Sequence, residues 1–149
     1  MNHEKGRLGF EILDHTADVA IRVWAPGLKA LFEEAVRGMC FLISKNIAKP
    51  QQCETISITG ENEEELFLNC LREVLFLIEG GMLVQSFVIT EENFIRKNEG
   101  PLRIAAEVSG EKIDPERHDI CMEIKAVTRH GLRVWKKDPL WEAQVLFDI

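Results

Sequence analysis

The sequence predicts an α+β fold: a two-layer domain in which two amphipathic helices pack on one face of a mixed or antiparallel sheet of six to seven strands. Two segments repeat apolar residues at helical spacing, and several others alternate apolar and polar residues with a period of two. Both helical segments precede Met82, and the chain after it is predicted to contain only strands. This segregation is typical of α+β proteins.

The first strands and the first helix follow from local patterns. An apolar run leads to Asp14, and the alternation between Val19 and Val23 predicts a strand, which a Pro-Gly pair closes. From Leu28 to about Ile43 apolar residues recur every three or four positions with charged residues between them. This spacing predicts an amphipathic helix.

A second strand and helix follow. Thr55–Thr59 alternates and predicts a strand. Asn62 has the side chain of a helix N-cap, Glu65 follows at the third helical position, and Gly80-Gly81 is a typical helix end. The sequence therefore predicts a second amphipathic helix between these two signals.

The remaining strands are predicted to form an antiparallel meander. Proline and glycine pairs separate them. The predicted strands are Leu83–Thr90, Leu102–Ser109, Ile120–Thr128 and Trp141–Asp148, with a shorter one at Leu132–Trp135.

The length of 149 residues predicts a single domain over residues 1–149, with residues 1–9 as a flexible N-terminal segment. No apolar run approaches 18 residues and no signal-peptide core is present, so we expect a cytoplasmic protein without a membrane partner. The four cysteines are scattered, which favours reduced thiols over a zinc site or a disulfide framework. The net charge of −7 predicts little direct nucleic-acid binding, although a local basic patch stays open.

An acidic cluster is the first candidate site. Asp14 and Asp18 flank one strand end, and Asp148 precedes Ile149 at the other end of the sequence. If the last strand pairs with the strand that Asp18 opens, these carboxylates converge, and oxygen ligands of this kind favour Ca²⁺, Mg²⁺ or Mn²⁺. The alternative is that the aspartates cap turns and strand ends. His15 is either a ligand or a turn-stabilising residue.

Two further polar segments are candidates. In the loop from Gly110 to His118, Glu111, Asp114 and His118 suit acid–base chemistry, a charged docking surface or an ordinary solvated hairpin loop.

Near the end of a predicted strand, Lys125, Thr128 and His130 suit contact with a partner or a nucleotide. Ordinary strand-end polarity explains them equally well. Thr128 and His130 would share one strand face. The common nucleotide-binding and hydrolase motifs are missing, so the sequence gives little support for catalysis by this chain alone.

These segments together resemble the archease family. The resemblance covers nearly the whole chain, and its most specific parts are the H-T-A-D and K-A-V-T segments joined to a terminal D-I. The residues that carry it are Asp14–Val19, Gly27–Ala35, Leu68-Asn69, Gly110-Glu111 with Asp114 and His118, Ile124–Thr128 with His130, and Asp148-Ile149.

The resemblance implies a compact α+β protein that is a cofactor and not an enzyme. It implies as partner an RtcB-type RNA-splicing ligase, whose guanylylation by GTP and multiple turnover the protein would promote in tRNA splicing or RNA repair. The protein would contact GTP through the ligase. The implied metal site is Asp18, Asp148 and Ile149, the last through its main chain or terminal carboxylate, with Asp14 less firmly placed.

Two other functions stay open from the residues alone. One is a metal-dependent phosphoester hydrolase or transferase that uses the acidic cluster on its own substrate, which turnover without a partner would indicate. The other is a general chaperone-like interaction module, which metal-independent suppression of aggregation would indicate.

Overall fold

The computed structural model describes residues 6–14, 17–94 and 100–149, and for Asp14 the main chain alone. Seven strands and two helices follow one another in the order β1, β2, α1, β3, α2, β4, β5, β6, β7. Their bounds are β1 Gly9–Asp14, β2 Asp18–Ala25, α1 Leu28–Ile43, β3 Gln52–Gly60, α2 Glu63–Glu79, β4 Met82–Asn93, β5 Leu102–Lys112, β6 Ala126–Lys137 and β7 Leu140–Asp148. The predicted α+β class is confirmed.

The strands form two antiparallel sheets where the sequence predicted one. The four-stranded sheet has the order β1-β2-β7-β6, and the three-stranded sheet has the order β3-β5-β4. The predicted meander is therefore interrupted, because β5 and β6 belong to different sheets. Period-two alternation shows which side chains face a core, but it does not show which strands are neighbours.

Each helix contacts both sheets, which differs from the prediction that both lie on one sheet face. Helix α1 packs on β2 and β4, and α2 packs on β3 and β6. The reason is the width of their apolar surfaces: in α1, adjacent residues such as Leu31 and Phe32 are both buried. Phe32 meets Phe67 of α2 edge to face, with ring centroids 5.3 Å apart. One core cluster joins the helices to both sheets.

The helix ends are formed by the residues that the sequence predicted. Asn62 caps α2, and its side-chain oxygen accepts a hydrogen bond from the Glu65 N–H at 2.8 Å. At the other end, Gly81 adopts φ of +106°, a conformation that strongly favours glycine.

One predicted strand is wrong in its bounds. In the predicted strand Ile120–Thr128, the residues before Ala126 make only an isolated bridge, between Ile120 and Ser44. The rest of that strand and the predicted strand Leu132–Trp135 are both parts of β6. The register of β6 against β7 shifts between Thr128 and Arg133, and Gly131 in that irregularity has φ of +66°. A glycine in the sequence can therefore mark either a bulge within one strand or a turn between two strands.

The predicted flexible segment, residues 1–9, overlaps the described part of the chain. Strand β1 begins at Gly9, and the Trp24 indole donates a hydrogen bond to the Gly6 carbonyl at 3.0 Å. Residues 1–5 lie outside the described residues. Within the described ranges, neither helix combines the length and apolarity needed to cross a membrane.

Candidate functional site

The two aspartates of the predicted metal site are direct neighbours across a pair of strands. Asp18, the first residue of β2, lies opposite Asp148, the last residue of β7. Residues opposite each other in an antiparallel pair present side chains on the same face, with Cβ atoms about 5 Å apart. The β7 end is fixed on its other side too, because the Lys125 N–H donates to the Asp148 carbonyl at 2.7 Å. The strand pairing that the acidic-cluster hypothesis requires is therefore present.

Asp18 carries a carboxylate oxygen that lacks a compensating donor. Its side chain is half-buried, and Oδ1 is buried with no hydrogen-bond partner among the described residues. Asp148 is exposed, and the following Ile149 is partly buried against the core. A buried polar atom without a partner costs about 1–3 kcal/mol, so this oxygen suits a cation or another donor.

The acidic pair does not make a complete ligand set by itself. Across the described residues, no three His, Cys, Asp or Glu side chains lie together as metal ligands do. The sequence predicts that Ile149 supplies a third oxygen. Asp14 pairs with Val19 in the β1–β2 register, one position from Asp18. The predicted residue His15 lies outside the described residues.

The second candidate, which runs from the end of β5 into the connection to β6, is a buried hydrogen-bonded cluster. The Glu111 side chain is only 3% exposed, and the Lys49 N–H donates to it, as does the guanidinium of Arg117. The ring Nε2 of His118 lies 3.2 Å from Glu111 Oε1. The structure therefore brings together Glu111 and His118, as the sequence suggested, but it covers them from solvent. Sequence reasoning missed Lys49 and Arg117.

The loop around Asp114 fixes the tautomer of His118. The Asp114 N–H donates to His118 Nδ1 at 2.9 Å, so Nδ1 is the acceptor and the proton of a neutral ring is on Nε2, facing Glu111. The Asp114 carbonyl accepts from the N–H groups of Arg117 and His118, and its side chain accepts from the Glu116 N–H. These bonds close the loop on itself, as expected of a connection that holds its shape without a partner.

Glu111 makes the fold sensitive to acid. The Lys49 N–H donor and the Arg117 charge lower the pKa of Glu111 from its ordinary value of 4.5, although burial acts in the opposite direction. A carboxylate with a lowered folded-state pKa contributes stability above its unfolded pKa, and that contribution is lost as pH falls through the folded value. We therefore expect the Glu111→Gln variant to be less stable than the parent at pH 7, and the difference to shrink below about pH 4.5.

Urea unfolding midpoints at pH 7 and at decreasing pH below 4.5 check this expectation. Glu116→Gln is the matched control, because the Glu116 side chain is exposed. A difference between the Glu111→Gln variant and the parent that stays constant with pH would contradict the assignment.

The third candidate group lies in the first part of β6 and at the residue before it. Lys125 and His130 are exposed, whereas Thr128 is half-buried, with an Oγ1 that is buried and has no partner among the described residues. The register of β6 against β7 shifts between Thr128 and Arg133, so no strand pairing fixes the position of His130. That Thr128 and His130 share one strand face stays a prediction.

Sequence reasoning also missed a cluster on the outer face of the four-stranded sheet. The guanidinium carbon of Arg133 lies 4.5 Å from the centroid of the Trp135 ring, and that of Arg22 lies 5.9 Å from it. Arg22 donates to Gln144 Oε1 at 2.9 Å, which fixes β2 to β7 at this point. The sequence signal was the run of basic residues between Lys125 and Lys137.

Most of the chain matches one family. The model described as the archease protein family (MTH1598/TM1083) matches residues 10–149. A Protein archease from Methanopyrus kandleri is 34% identical over 142 residues, which cover 94% of this chain and 99% of that protein. A Protein archease from Methanosarcina acetivorans is 36% identical over 141 residues, which cover 94% of this chain and 95% of that protein.

Solved structures have the same fold. The solution structure of protein 1598 from Methanobacterium thermoautotrophicum superimposes with a TM-score of 0.79 at 27% identity, covering 95% of this chain and 99% of that one. A crystal structure from Thermotoga maritima, described as an archease and possible chaperone, gives 0.57 at 17% identity with full coverage of both chains. The second likeness concerns the fold alone.

Proposed function

This chain belongs to the archease family, and on that premise we propose that it is a non-catalytic cofactor of an RtcB-type RNA-splicing ligase. It promotes transfer of a guanylyl group from GTP to the ligase and so permits multiple turnover in tRNA splicing or RNA repair. The observation that carries the proposal is the direct pairing of Asp18 with Asp148, two acids of the implied metal site, across β2 and β7.

The donor set fits a hard divalent cation. Asp18 and Asp148 supply carboxylate oxygens on one face, and Ile149 follows at the same sheet end with its main-chain oxygen. The unpaired Oδ1 of Asp18 supports this assignment, because a bound Ca²⁺, Mn²⁺ or Mg²⁺ satisfies such an oxygen and offsets the repulsion between the acids. When bound, the cation supplies positive charge that orients anionic groups of the ligase or of its incoming GTP.

The chain's own residues position this site and perform no chemistry. The β2–β7 pairing holds the two acids together, and the Lys125 N–H holds the β7 end in place. Glu111 and His118 form the buried titratable pair of the second candidate, and each accepts a hydrogen bond from a main-chain N–H group of the protein. This arrangement supports the assignment of a cofactor rather than an enzyme.

A guanylylation assay tests the proposal. Purified ligase is incubated with labelled GTP, with and without this protein, in Mn²⁺, Mg²⁺ or Ca²⁺, and the labelled ligase is measured. We expect the parent protein to raise the yield, and the Asp18→Asn and Asp148→Asn variants to lose at least about nine-tenths of that stimulation, a loss comparable with that of a metal-site partner.

Asp119→Asn is the control, because it removes an exposed carboxylate elsewhere on the surface. Full stimulation by both site variants would refute the role of the site. No stimulation by the parent protein would refute the ligase assignment. GTP or phosphoester turnover by this chain alone would instead favour the metal-dependent hydrolase.

A second candidate function is a chaperone-like interaction module, and one surface favours it. A hollow of about 390 Å³ beside the end of α2 is lined mainly by apolar side chains, among them Ile78, Ile120 and Met122. Ile120 is 46% exposed at this hollow. Suppression of the aggregation of unrelated proteins, unchanged in the Asp18→Asn variant, would support this function.

A further inference from the structure

One strand of this acidic protein is strongly basic. The segment from Lys125 to Lys137, which is β6 and the residue before it, has five Lys or Arg and no Asp or Glu, in a chain of net charge −7. We call Lys125, Arg129, Arg133, Lys136 and Lys137 the basic edge, because β6 is the outermost strand of the four-stranded sheet. All five side chains are exposed.

Three of these cations are not neutralised by the described part of the chain. Lys136 pairs with Asp138 at 3.7 Å and Lys137 with Glu142 at 3.5 Å. Lys125, Arg129 and Arg133 make no ion pair with any residue that the structure describes. Exposed like charges on one strand attract an anionic partner that carries charges in series.

A cation–π stack of Trp135 with Arg133 and Arg22 lies beside the basic edge. The indole of Trp135 lies beneath the guanidinium of Arg133, and Arg22 approaches the same ring from β2. Arg22 is held by Gln144, and Gln144 also donates to the Gly131 carbonyl in the bulge at 3.4 Å. Gln144 therefore makes hydrogen bonds to both Arg22 of the stack and Gly131 of the bulge. Arg133 is exposed, which leaves its guanidinium plane accessible for stacking by a flat group.

We propose that the basic edge, with Trp135 and Arg22, binds single-stranded nucleic acid directly. The exposed Lys and Arg side chains contact successive phosphates, and a base stacks on the Arg133 guanidinium. An acidic protein segment would use the cations but leave the stack without a role, so the observations favour a polynucleotide. The choice of RNA over DNA rests on the proposed function. The prediction of little direct nucleic-acid binding came from the net charge, which averages over this strand.

Fluorescence anisotropy with a labelled, unstructured RNA of about 12 nucleotides tests the proposal, since such strands fill one binding groove. The parent protein should bind at low salt, and the logarithm of its affinity should fall linearly with that of the salt concentration. The Arg129→Glu, Arg133→Glu double variant should bind at least about tenfold more weakly, with a salt slope smaller by about 1.4, because each lost phosphate contact removes about 0.7.

Two further variants separate the parts of the claim. Lys45→Glu with Lys112→Glu makes the same charge change at exposed positions elsewhere, and it should retain affinity within about twofold if local contacts dominate. Arg133→Lys keeps the charge but removes the plane, so it should weaken binding several-fold without changing the salt slope. Thermal melts establish that each variant is folded.

Other outcomes would overturn the proposal. These are no binding by the parent protein, an equal loss in the Lys45, Lys112 control, or competition by a polyglutamate peptide as effective as that by unlabelled RNA. The last outcome would assign the surface to an acidic protein. An Arg133→Lys variant that binds like the parent would show that no base stacks on the Arg133 guanidinium. Loss of RNA binding in a variant that still stimulates guanylylation would support the RNA contact separately from the proposed function.

Discussion

The Asp18→Asn substitution is expected to lower the affinity for Ca²⁺ or Mn²⁺ at least about tenfold, and by as much as 100-fold. Residues that merely orient a metal ligand already account for about 10–100-fold in affinity, and Asp18 is proposed as a ligand itself. Asparagine keeps an oxygen at the position but removes the negative charge that attracts the cation. Isothermal titration calorimetry with each cation measures the change.

The stability of the Asp148→Asn variant gives a second, independent readout. Two carboxylates directly opposite each other across β2 and β7 repel, so without cation this variant should be more stable by about 0.2–1 kcal/mol. A bound cation stabilises the folded parent in proportion to its occupancy, so excess cation should reverse the order. Urea unfolding with EDTA and with Ca²⁺ checks the reversal.

Asp119→Asn again serves as the control, and its stability should respond to Ca²⁺ as the parent's does. If Ca²⁺ and Mn²⁺ leave the unfolding midpoint of the parent protein unchanged, the acidic pair is no cation site. The turn-cap interpretation of Asp18 would then stand.

The second large effect is expected at Gly110, where the Gly110→Ala substitution should destabilise the fold by about 3 kcal/mol, the upper part of the range for overpacked sites. A Cβ at this position would overlap the Leu83 carbonyl oxygen and lie 2.9 Å from the carbonyl carbon. Both atoms belong to the neighbouring strand's main chain, so no side chain can rotate away. Strand β4 would have to move, and Glu111 with it.

Urea unfolding followed by circular dichroism measures this loss. Gly100→Ala is the matched control, since a Cβ there meets no atom of the described residues within 4 Å. A Gly110→Ala variant as stable as that control would show that β4 moves aside at little cost.

Local signals predicted the helices and the acidic pair well, because each depends on residues close in sequence or at strand ends. The Asn62 cap and Gly81 determine where α2 begins and ends. Asp18 and Asp148 each lie at the limit of an apolar run, so pairing of the two runs was enough to bring them together. That Asp18, Asp148 and Ile149 bind a metal stays a prediction, and Ile149 has no side-chain signal for it.

The parts that the sequence did not predict depend on contacts between distant segments. The Lys49 N–H that meets Glu111 is a main-chain group, for which no residue type gives a signal. Arg22 and Trp135 meet because β2 and β6 flank β7, and alternation along each strand carries no information about that order. Because alternation does not show which strands are neighbours, the sequence predicted one sheet where the structure has two.

The place of β7 in the four-stranded sheet also has a kinetic consequence. It is the last strand in the sequence, yet it lies between β2 and β6 and is the only link between them in that sheet. Pairing β2 with β7 closes a loop that contains both helices and the whole three-stranded sheet, and such non-local pairing slows folding. Strands β1 and β2 must therefore wait, as a hairpin, for the final segment to be synthesised. Because Asp18 and Asp148 meet only in that pairing, a cation held between them would bind only after β7 has joined β2.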